Sequence, residues 1–550
     1  MTTLATAAFG VNVEGDRIVL RTPFALKDAC KSIPGAKWSP ELKAWTYPIS
    51  AASARAINER IPMRIQRSDA FNVLVGKARQ QEQADQYIRS DHTTLPAVQT
   101  TKLTPWRHQL QAYHFALQRP ATMLALDMGT GKTKVTIDLL QNSYAKRVLV
   151  ICPKTVVSVW PKELAKHCAV QYKAIPLNRG SVSKRVGEAQ LTMKQHTETG
   201  SEAMLVFIVN YEATWRPEMA RFLSGTNWDY IVCDESHRIK SHNGTASKFI
   251  GTLAMKAKRR LCLTGTPMPH SPMDAFGQYR FLDPAVFGTS FHLFKNTYAD
   301  WGGYGGHELL GYRNTDELNK RFYSIAFRVG KEVLDLPPVM HIERTFELDG
   351  KAASVYSDLD ADFISFVKGG EVTVANALVK LLRLQQITSG HIPTDEGAII
   401  DLHDGKGEQL SDVLEDVDAH EPVVVFARFR RDLDRIREAA TKAGRGYMEL
   451  SGRVNEMAEW QNASGGEVIG VQMQSGGVGV DLTRARYCVY WSVGFSLGDY
   501  EQSLARTHRP GQTRPVSYIH LIASGTVDEK VYSALSNKKE VVESILEELR

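Results

Sequence analysis

The chain has 550 residues, 43% of them hydrophobic and 23% charged, with a formal net charge of +6. This length exceeds one compact core, and the composition is globular, which excludes fibrous and disordered classes. No apolar run is long enough to cross a bilayer, the amino terminus lacks the pattern of a secretory signal, and the cysteines form no CxxC pair. We expect an intracellular protein of several domains, in the cytoplasm or nucleoid, or in a host cell if the chain is viral.

The amino-terminal part of the chain predicts a small module and a connection. Residues 9–62 alternate short apolar runs with turn signals, as in GDRIVLRTPF and KAWTYPIS, which predicts a small α+β module over residues 1–65. Residues 66–100 are polar and predict a helix followed by a linker.

The pattern from residue 101 onward predicts two α/β regions with parallel sheets. Residues 101–285 contain the runs TMLALD, RVLVICP, MLVFIVNY, YIVCDE and RRLCLTG, which are apolar on nearly every residue, as in strands covered on both faces. Residues 286–405 are irregular and helical. Residues 406–550 resume the pattern with EPVVVFARF, GYMELSG, GEVIGVQM, ARYCVYW and VSYIHLIA. A two-lobed nucleotide-dependent enzyme and two fused, unrelated α/β enzymes fit this pattern equally.

A glycine-rich turn follows the first of these strands and precedes a helical pattern. Such a turn aims backbone N–H groups at phosphate oxygens, with Lys132 as a point charge and the Thr133 hydroxyl as a Mg²⁺ ligand. The full GxxxxGK[ST] pattern is not met, because Leu126 stands at its first glycine. A flexible turn before an ordinary helix is the alternative. The predicted phosphate-binding residues are Gly129, Thr130, Gly131, Lys132 and Thr133.

Two adjacent acids end the strand YIVC. Asp234 and Glu235 would lie at the carboxyl edge of a parallel sheet, where such folds bind ligands. We predict that Asp234 binds Mg²⁺ and that Glu235 orients and deprotonates the attacking water. Taken alone, DESH is more typical of a helix cap or a solvated turn. Its place in the same α/β region as the GTGKT turn favours catalysis.

Motifs in order from residue 103 to about 535 resemble helicase superfamily two, and within it the Swi/Snf-type branch of DNA translocases. The resemblance implies two RecA-like lobes, ATP and Mg²⁺ as cofactors, and DNA as partner. Leu103–Gln109 is similar to the adenine-recognising segment, with Gln109 as the base contact. The implied DNA contacts in the first lobe are Pro153, Lys154, Thr155, Asn210 and Tyr211. The residues implied to couple hydrolysis to DNA contact are His237, Thr264, Gly265 and Thr266.

The second lobe carries further motifs of the branch. LPP at 336–338, followed by a strand and a helix with Tyr356, and LLRLQQI at 381–387 resemble the passage into this lobe. The glycine-rich segment 474–483 implies DNA contacts at Ser475 and Gly476 and a nucleotide contact at Asp481. QSLARTHRPGQ resembles the branch signature, in which Gln502 couples and Arg506 or Arg509 reaches the γ-phosphate. Surface solubility is the alternative role of these arginines.

The short middle region and the form DESH resemble the annealing-helicase relatives of this branch, which carry a HARP (HepA-related) module before the motor. Residues 12–62 are weakly similar to that module. Trp38 and Trp45, interleaved with cations, would stack on exposed bases. The alternative is that Trp38, Trp45 and Tyr47 form the core of a tiny domain, and we expect this for at least one of them.

Three functions follow. The first is an ATP-dependent translocase that remodels or reanneals duplex or branched DNA. The second is a strand-separating helicase, with the loop around Trp301 and Tyr304 as its one candidate wedge. The third is an ATP-gated DNA-binding scaffold without turnover. We expect a monomer, of bacterial or viral origin from its small size, without a membrane partner.

Overall fold

The structure is a computed structural model that describes residues 9–33, 35–90, 94–269, 271–302, 308–368, 374–394, 398–473 and 480–547. Side chains are described throughout these ranges except at residues 52, 308, 362–368, 374–378 and 538–547. The chain divides into two compact units, the first ending at Val333 and the second running from Leu334 to Glu543.

The first unit begins with a small α+β module. Its strands are β1 (Gly10–Glu14), β2 (Arg17–Arg21), β3 (Lys37–Ser39), β4 (Ala44–Pro48) and β5 (Gln66–Arg67), and its helices are α1 (Lys27–Ser32) and α2 (Ala51–Arg60). The strands are ordered β3-β4-β2-β1-β5. Helix α3 (Asp69–Arg89), capped by Ser68, closes the core of this module with Phe71. Residues 66–89 therefore add a strand and a long helix to the module.

A parallel sheet follows in the same unit. Its strands are β6 (Ala121–Leu126), β7 (Arg147–Cys152), β8 (Tyr172–Pro176), β9 (Met204–Asn210), β10 (Trp228–Asp234), β11 (Ala257–Leu263) and β14 (Ala326–Val329), ordered β14-β6-β11-β10-β7-β9-β8. Their pairings are all parallel. The inner strands are buried along nearly their whole length because helices cover both faces.

Helices accompany these strands. They are α4 (Arg107–Leu117), α5 (Lys132–Asn142), α6 (Trp160–His167), α7 (Val182–Glu198), α8 (Tyr211–Thr214), α9 (Pro217–Gly225), α10 (Thr245–Leu253), α11 (Ala275–Leu282), α12 (Pro284–Phe287), α13 (Phe291–Tyr298) and α14 (Thr315–Tyr323). Strands β12 (Ala299–Gly302) and β13 (Glu308–Tyr312) form an antiparallel pair near α13. Trp301 lies in β12, and Tyr304 falls outside the described residues.

The second unit holds another parallel sheet. Its strands are β15 (Val339–Phe346), β18 (Val423–Ala427), β19 (Tyr447–Leu450), β20 (Val468–Gln472), β21 (Tyr487–Tyr490) and β22 (Val516–Ala523), ordered β15-β22-β21-β18-β20-β19. Val424 and Phe426 enter one hydrophobic core, whereas Val423 and Val425 enter another. Because successive side chains of a strand point to opposite faces, the sheet is covered on both.

The helices of this unit are α15 (Gly350–Lys368), α16 (Val374–Thr388), α17 (Gly405–Asp416), α18 (Arg430–Lys442), α19 (Met457–Asn462), α20 (Leu497–Thr507) and α21 (Val527–Glu547). A short antiparallel pair, β16 (His391–Pro393) and β17 (Ile399–Asp401), follows α16.

The predicted fold class is confirmed, since each unit holds a parallel sheet flanked by helices and a small α+β module precedes them. The first parallel sheet takes in Ala326–Val329, beyond the predicted boundary at residue 285, and the second takes in Val339–Phe346. The limits of functional domains stay a prediction. In the part of the chain that the structure describes, no helix is both long and apolar enough for a membrane span.

Candidate active site

The strand order of the first unit brings the predicted motifs to one edge of the sheet. The phosphate turn (128–133) follows β6, and the TGTP segment (264–267) follows β11. DESH (234–237), CPKT (152–155) and Asn210-Tyr211 begin at the last residues of β10, β7 and β9. These strands are neighbours in that same order and run parallel, so their carboxyl ends share one edge. The nucleotide motifs therefore lie at the ends of β6, β11 and β10, and the predicted DNA motifs lie beside them at the ends of β7 and β9.

The phosphate turn is shaped by two glycines. Gly129 and Gly131 have φ values of +88° and +96°, which only glycine adopts without strain, and Gly131 caps the eleven-residue helix α5. Lys132 Nζ donates to the Leu126 carbonyl at 2.9 Å, so the lysine folds back over the turn. Lys132 and Thr133 lie half-buried at the start of α5, whose first N–H groups are the kind of donors that bind an anion. The residues fit a bound nucleotide phosphate.

Gln109 supports this turn. Its Nε2 donates to the Thr130 carbonyl at 3.1 Å, and its Oε1 accepts from the Trp106 N–H at 3.0 Å. A Cβ on Gly131 would collide with this amide. The structure places Gln109 against the phosphate turn, and its contact with the adenine base stays a prediction.

Asp234 is buried and held by several donors. Trp160 Nε1 donates to Asp234 Oδ2 at 2.9 Å, and the Glu235 N–H donates to Asp234 Oδ1 at 3.0 Å. Tyr211 donates its hydroxyl to the Asp234 carbonyl at 2.8 Å. Burial and then the adjacent Glu235 carboxylate raise the pKa of Asp234 to about 7. A cation bound there would restore the ionised form, so the carboxylate fits a Mg²⁺ ligand.

Glu235 adopts a left-handed backbone with a φ of +52°. Such a conformation is strained for a residue with a side chain and is concentrated at functional sites. His237 Nδ1 lies 3.5 Å from Glu235 Oε2 and 3.4 Å from Thr264 Oγ1. His237 therefore lies between the acidic motif and the TGTP segment, where Thr264 Oγ1 also accepts from the Thr266 N–H.

The turn after β11 lies directly against the phosphate turn. A Cβ built on Gly265 would lie 3.4 Å from both Asp127 Cα and the Leu126 carbonyl oxygen. Burial raises the pKa of the Asp127 carboxyl, opposed by the cations Lys331 and Lys132. A movement of the turn after β11 would therefore displace the phosphate turn, and the reverse.

Gln278 was not singled out by sequence reasoning, yet it bridges two motifs. It is fully buried on α11, accepts from Ser236 Oγ at 2.7 Å and donates to the Pro267 carbonyl at 2.6 Å. Trp160 was not predicted as a site residue either, although its indole donates to Asp234. No local pattern signals Gln278, because Ser236 lies 42 residues away and neither partner is at a spacing that a helix or strand sets.

The predicted DNA contacts of the first unit differ in accessibility. Lys154 and Thr155 are exposed on a short 3₁₀ turn, whereas Pro153 and Asn210 are buried. Tyr211 is 3% exposed and its hydroxyl is used by Asp234. The Tyr211 hydroxyl therefore supports Asp234, and a DNA contact of Tyr211 stays a prediction.

The predicted residues of the second unit are positioned around α20. Gln502 and Arg506 are buried, Arg506 being 3% exposed, whereas Arg509 is half-buried in the loop that follows. Asp481 is exposed and accepts from the Thr483 N–H at 3.0 Å. Ser475 and Gly476 lie outside the described residues. The roles of these residues stay predictions.

In the amino-terminal module, Trp38 is 52% exposed and packs edge-to-face on the half-buried Trp45, with ring centroids 5.5 Å apart. Tyr47 is buried and donates to the Cys30 carbonyl at 2.9 Å. One of the three aromatic residues is therefore core, as expected. Trp38 and Trp45 stay predicted base contacts.

Comparison with known families resolves the class of this chain. The model of the SNF2-related domain matches residues 63–391, more than half of the chain. The chain belongs to the SNF2-related family. A helicase conserved C-terminal domain also matches residues 405–511 of this SNF2-related protein. The predicted Swi/Snf-type branch of superfamily two is thus confirmed, and with it the class of enzyme, a DNA-dependent ATPase.

Relatives of this SNF2-related protein include putative protein p41 of Acyrthosiphon pisum secondary endosymbiont phage 1, 26% identical over 77% of the chain and 94% of p41. The DNA annealing helicase and endonuclease ZRANB3 of Bos taurus is 26% identical over 82% of the chain. The chain spans 41% of that longer protein. Among solved structures, the Sulfolobus solfataricus SWI2/SNF2 ATPase core in complex with dsDNA is 22% identical, with a TM-score of 0.40, over 82% of this chain and 95% of that one.

Proposed function

We propose that this SNF2-related protein hydrolyses ATP with Mg²⁺ to translocate on duplex or branched DNA, remodelling it or reannealing its strands. The observation that carries the proposal is the sheet edge of the first unit, where phosphate turn, TGTP, DESH, CPKT and Asn210-Tyr211 lie side by side. Nucleotide chemistry and predicted DNA contact thus share one rigid scaffold.

The residues of this edge support the following roles. The N–H groups at the start of α5 and Lys132 would bind the phosphates, while Thr133 and Asp234 would hold Mg²⁺, which neutralises charge on the phosphates. Glu235 would orient the attacking water and accept its proton. His237 and Thr264 would couple a change in the position of the Glu235 carboxylate to the turn after β11.

One relative supports the choice of DNA structure, since it is named as a DNA annealing helicase and endonuclease. The match to the phage protein p41 covers 94% of that protein and supports a viral or bacterial origin. The proposal includes annealing activity, a viral or bacterial origin and an intracellular location. The half-buried Trp301, with Lys295 Nζ 3.5 Å from its ring centroid, does not favour a strand-separating wedge.

The first test measures ATP hydrolysis in the presence of blunt duplex, single-stranded or forked DNA. Two further assays measure the displacement of a triplex strand and the unwinding of a forked duplex. We expect stimulation by duplex or forked DNA and triplex displacement without strong unwinding. Strong unwinding would instead support a strand-separating helicase, and background hydrolysis with saturating duplex would support a scaffold.

Two variants test the assigned chemistry in the same assay. Glu235→Gln removes the base but keeps the side-chain size, so ATP and DNA binding should persist while turnover falls by at least about 10²-fold. Lys132→Ala removes a phosphate contact and should weaken nucleotide binding itself. Hydrolysis by Glu235→Gln at the parent rate would refute the water-activation role.

A further inference from the structure

Asp234 is contacted by side chains from two separate segments of the predicted DNA surface. Trp160 follows the CPKT segment at the start of α6, and Tyr211 begins α8 directly after Asn210. The Trp160 indole bonds to the carboxylate, and the Tyr211 hydroxyl bonds to the main-chain carbonyl of the same residue. One predicted metal ligand is therefore held from two directions.

Both contacts are fully enclosed. Trp160 is 1% exposed and Tyr211 has a similarly small exposed fraction. Trp160 follows the turn Lys154–Val156, which connects β7 to α6 and exposes Lys154 and Thr155. Because Trp160 is buried and bonded to Asp234, a displacement of that turn would reach Asp234 through the packed start of α6.

Among the buried tryptophans that the structure describes, Trp160 is the one whose indole donates to a carboxylate. A buried indole N–H usually finds an acceptor, and a main-chain carbonyl suffices. Trp228, on β10 in the same sheet, donates to the Leu223 carbonyl at 3.1 Å. Trp160 instead donates to a carboxylate oxygen, and this bond becomes stronger when a bound cation keeps the carboxylate ionised. The Asp234 carboxylate thus has a fixed orientation.

We propose that Trp160 and Tyr211 are positioning residues through which the two predicted DNA-contacting segments set the orientation of Asp234 toward Mg²⁺. This inference rests on the proposed function and deepens it. DNA seated on the turn Lys154–Val156 and beside Asn210 stabilises one placement of α6 and α8, and that placement aligns Asp234. DNA stimulation of hydrolysis then acts through the metal ligand and not through nucleotide affinity alone.

The first experiment needs no turnover. Calorimetry measures the affinity for ATP with and without Mg²⁺ in the parent, Trp160→Phe and Tyr211→Phe. Tyr211→Phe loses its hydroxyl and keeps its ring, whereas Trp160→Phe loses the indole N–H and part of the ring volume. In both variants we expect the gain in affinity from Mg²⁺ to fall roughly tenfold, as for other partners of metal ligands. ATP binding without Mg²⁺ should be unchanged.

Matched controls separate positioning from loss of packing. Trp228→Phe removes an equivalent buried indole bond, and Tyr230→Phe removes the hydroxyl that lies 2.8 Å from Ser143 Oγ. Both controls should keep the full effect of Mg²⁺. The inference would be overturned if Mg²⁺ raised the ATP affinity of Trp160→Phe and Tyr211→Phe as much as that of their controls. Thermal unfolding verifies that each variant is folded.

The second experiment measures stimulation of hydrolysis by blunt duplex DNA, with DNA affinity followed by fluorescence anisotropy. We expect Trp160→Phe and Tyr211→Phe to bind DNA as the parent does and to lose most of the stimulation of kcat. Stimulation of kcat to the parent level in both variants would contradict the coupling between the DNA-contacting segments and Asp234. A parent without any DNA stimulation would reject the proposed function, whereas the calorimetry would still decide whether the two residues position Asp234.

Discussion

At the scale of one residue, Gly277 allows helix α11 to pack closely against the segment that follows DESH. The glycine lies on α11 beneath the turn after DESH. A Cβ built there would lie 2.6 Å from the Lys240 carbonyl oxygen and closer still to that of Ile239. Its neighbour Gln278 bridges Ser236 and Pro267. The missing side chain at Gly277 lets α11 approach closely enough for this bridge to form.

Replacing Gly277 with alanine should therefore destabilise the first unit. The clash is with main chain on both contacts, so we expect a cost of roughly 2–3 kcal/mol, at the upper end for overpacking. Chemical denaturation of the first unit measures it. Gly187→Ala is the control, because Gly187 lies in α7 with open space around it and should gain up to about 1 kcal/mol. Similar stability changes in both variants would show that Gly277 is not a close-contact position.

At the scale of elements, the strands that the sequence missed lie at the edges of the sheets. Tyr172–Pro176 and Ala326–Val329 are the two outermost strands of the first parallel sheet. They are less uniformly buried than β6 or β9, because an edge strand has a neighbour on one side only. Val339–Phe346 is an edge strand too, and only family resemblance predicted a strand there. Inner strands are evident in the sequence because both of their faces must be apolar.

Strand β22 also places a histidine in an apolar layer. His520 Nε2 lies 2.9 Å from the Tyr500 hydroxyl, and its ring stacks on Tyr490 and His341. Burial, and then the neighbouring His341, lower the pKa of His520 to about 3. An unfolded histidine titrates near 6.5. As the pH falls from about 6.5 toward 3, the unfolded chain binds a proton that the folded chain does not, so folding stability is lost across that interval.

We expect His520→Gln to reduce the loss of stability between pH 7 and pH 4. The substitution removes the titrating group, although it also lowers stability at pH 7 by disturbing the aromatic stack. Thermal unfolding of the second unit at several pH values gives the slope. His420→Gln, at an exposed position of the same unit, serves as the control. An unchanged slope in His520→Gln would mean that His520 is not a source of the acid sensitivity.

At the scale of the molecule, the amino-terminal module is fixed to the first parallel-sheet region by a polar cluster. Glu317 on α14 accepts from Arg60 of α2 and pairs with Arg321 at 2.7 Å. Lys320 pairs with Glu59 at 3.0 Å, also between α14 and α2. Arg89 at the end of α3 donates to the Ala326 carbonyl at 2.8 Å. The module is thus held next to β14 at several points.

A double-mutant cycle with Arg60→Ala and Glu317→Ala tests this attachment. Both side chains are partly exposed, so solvent screens the pair, and we expect a coupling free energy of about 0.5–1 kcal/mol. The exposed pair Lys194–Glu198 on α7 gives the reference cycle and should couple more weakly. A coupling for Arg60 and Glu317 no larger than that reference would show that the ion pair does not hold the module.

The sequence by itself determined the inner strands and the nucleotide motifs. Strands buried on both faces must be apolar throughout, and a phosphate turn needs Gly129, Gly131 and Lys132 at fixed spacing, so both are local requirements. The tertiary structure alone decided that five motifs share one edge, that Trp160 and Tyr211 hold Asp234, and that Gln278 joins Ser236 to Pro267. These contacts join residues far apart in the chain, and strand order, which no local pattern encodes, brings them together.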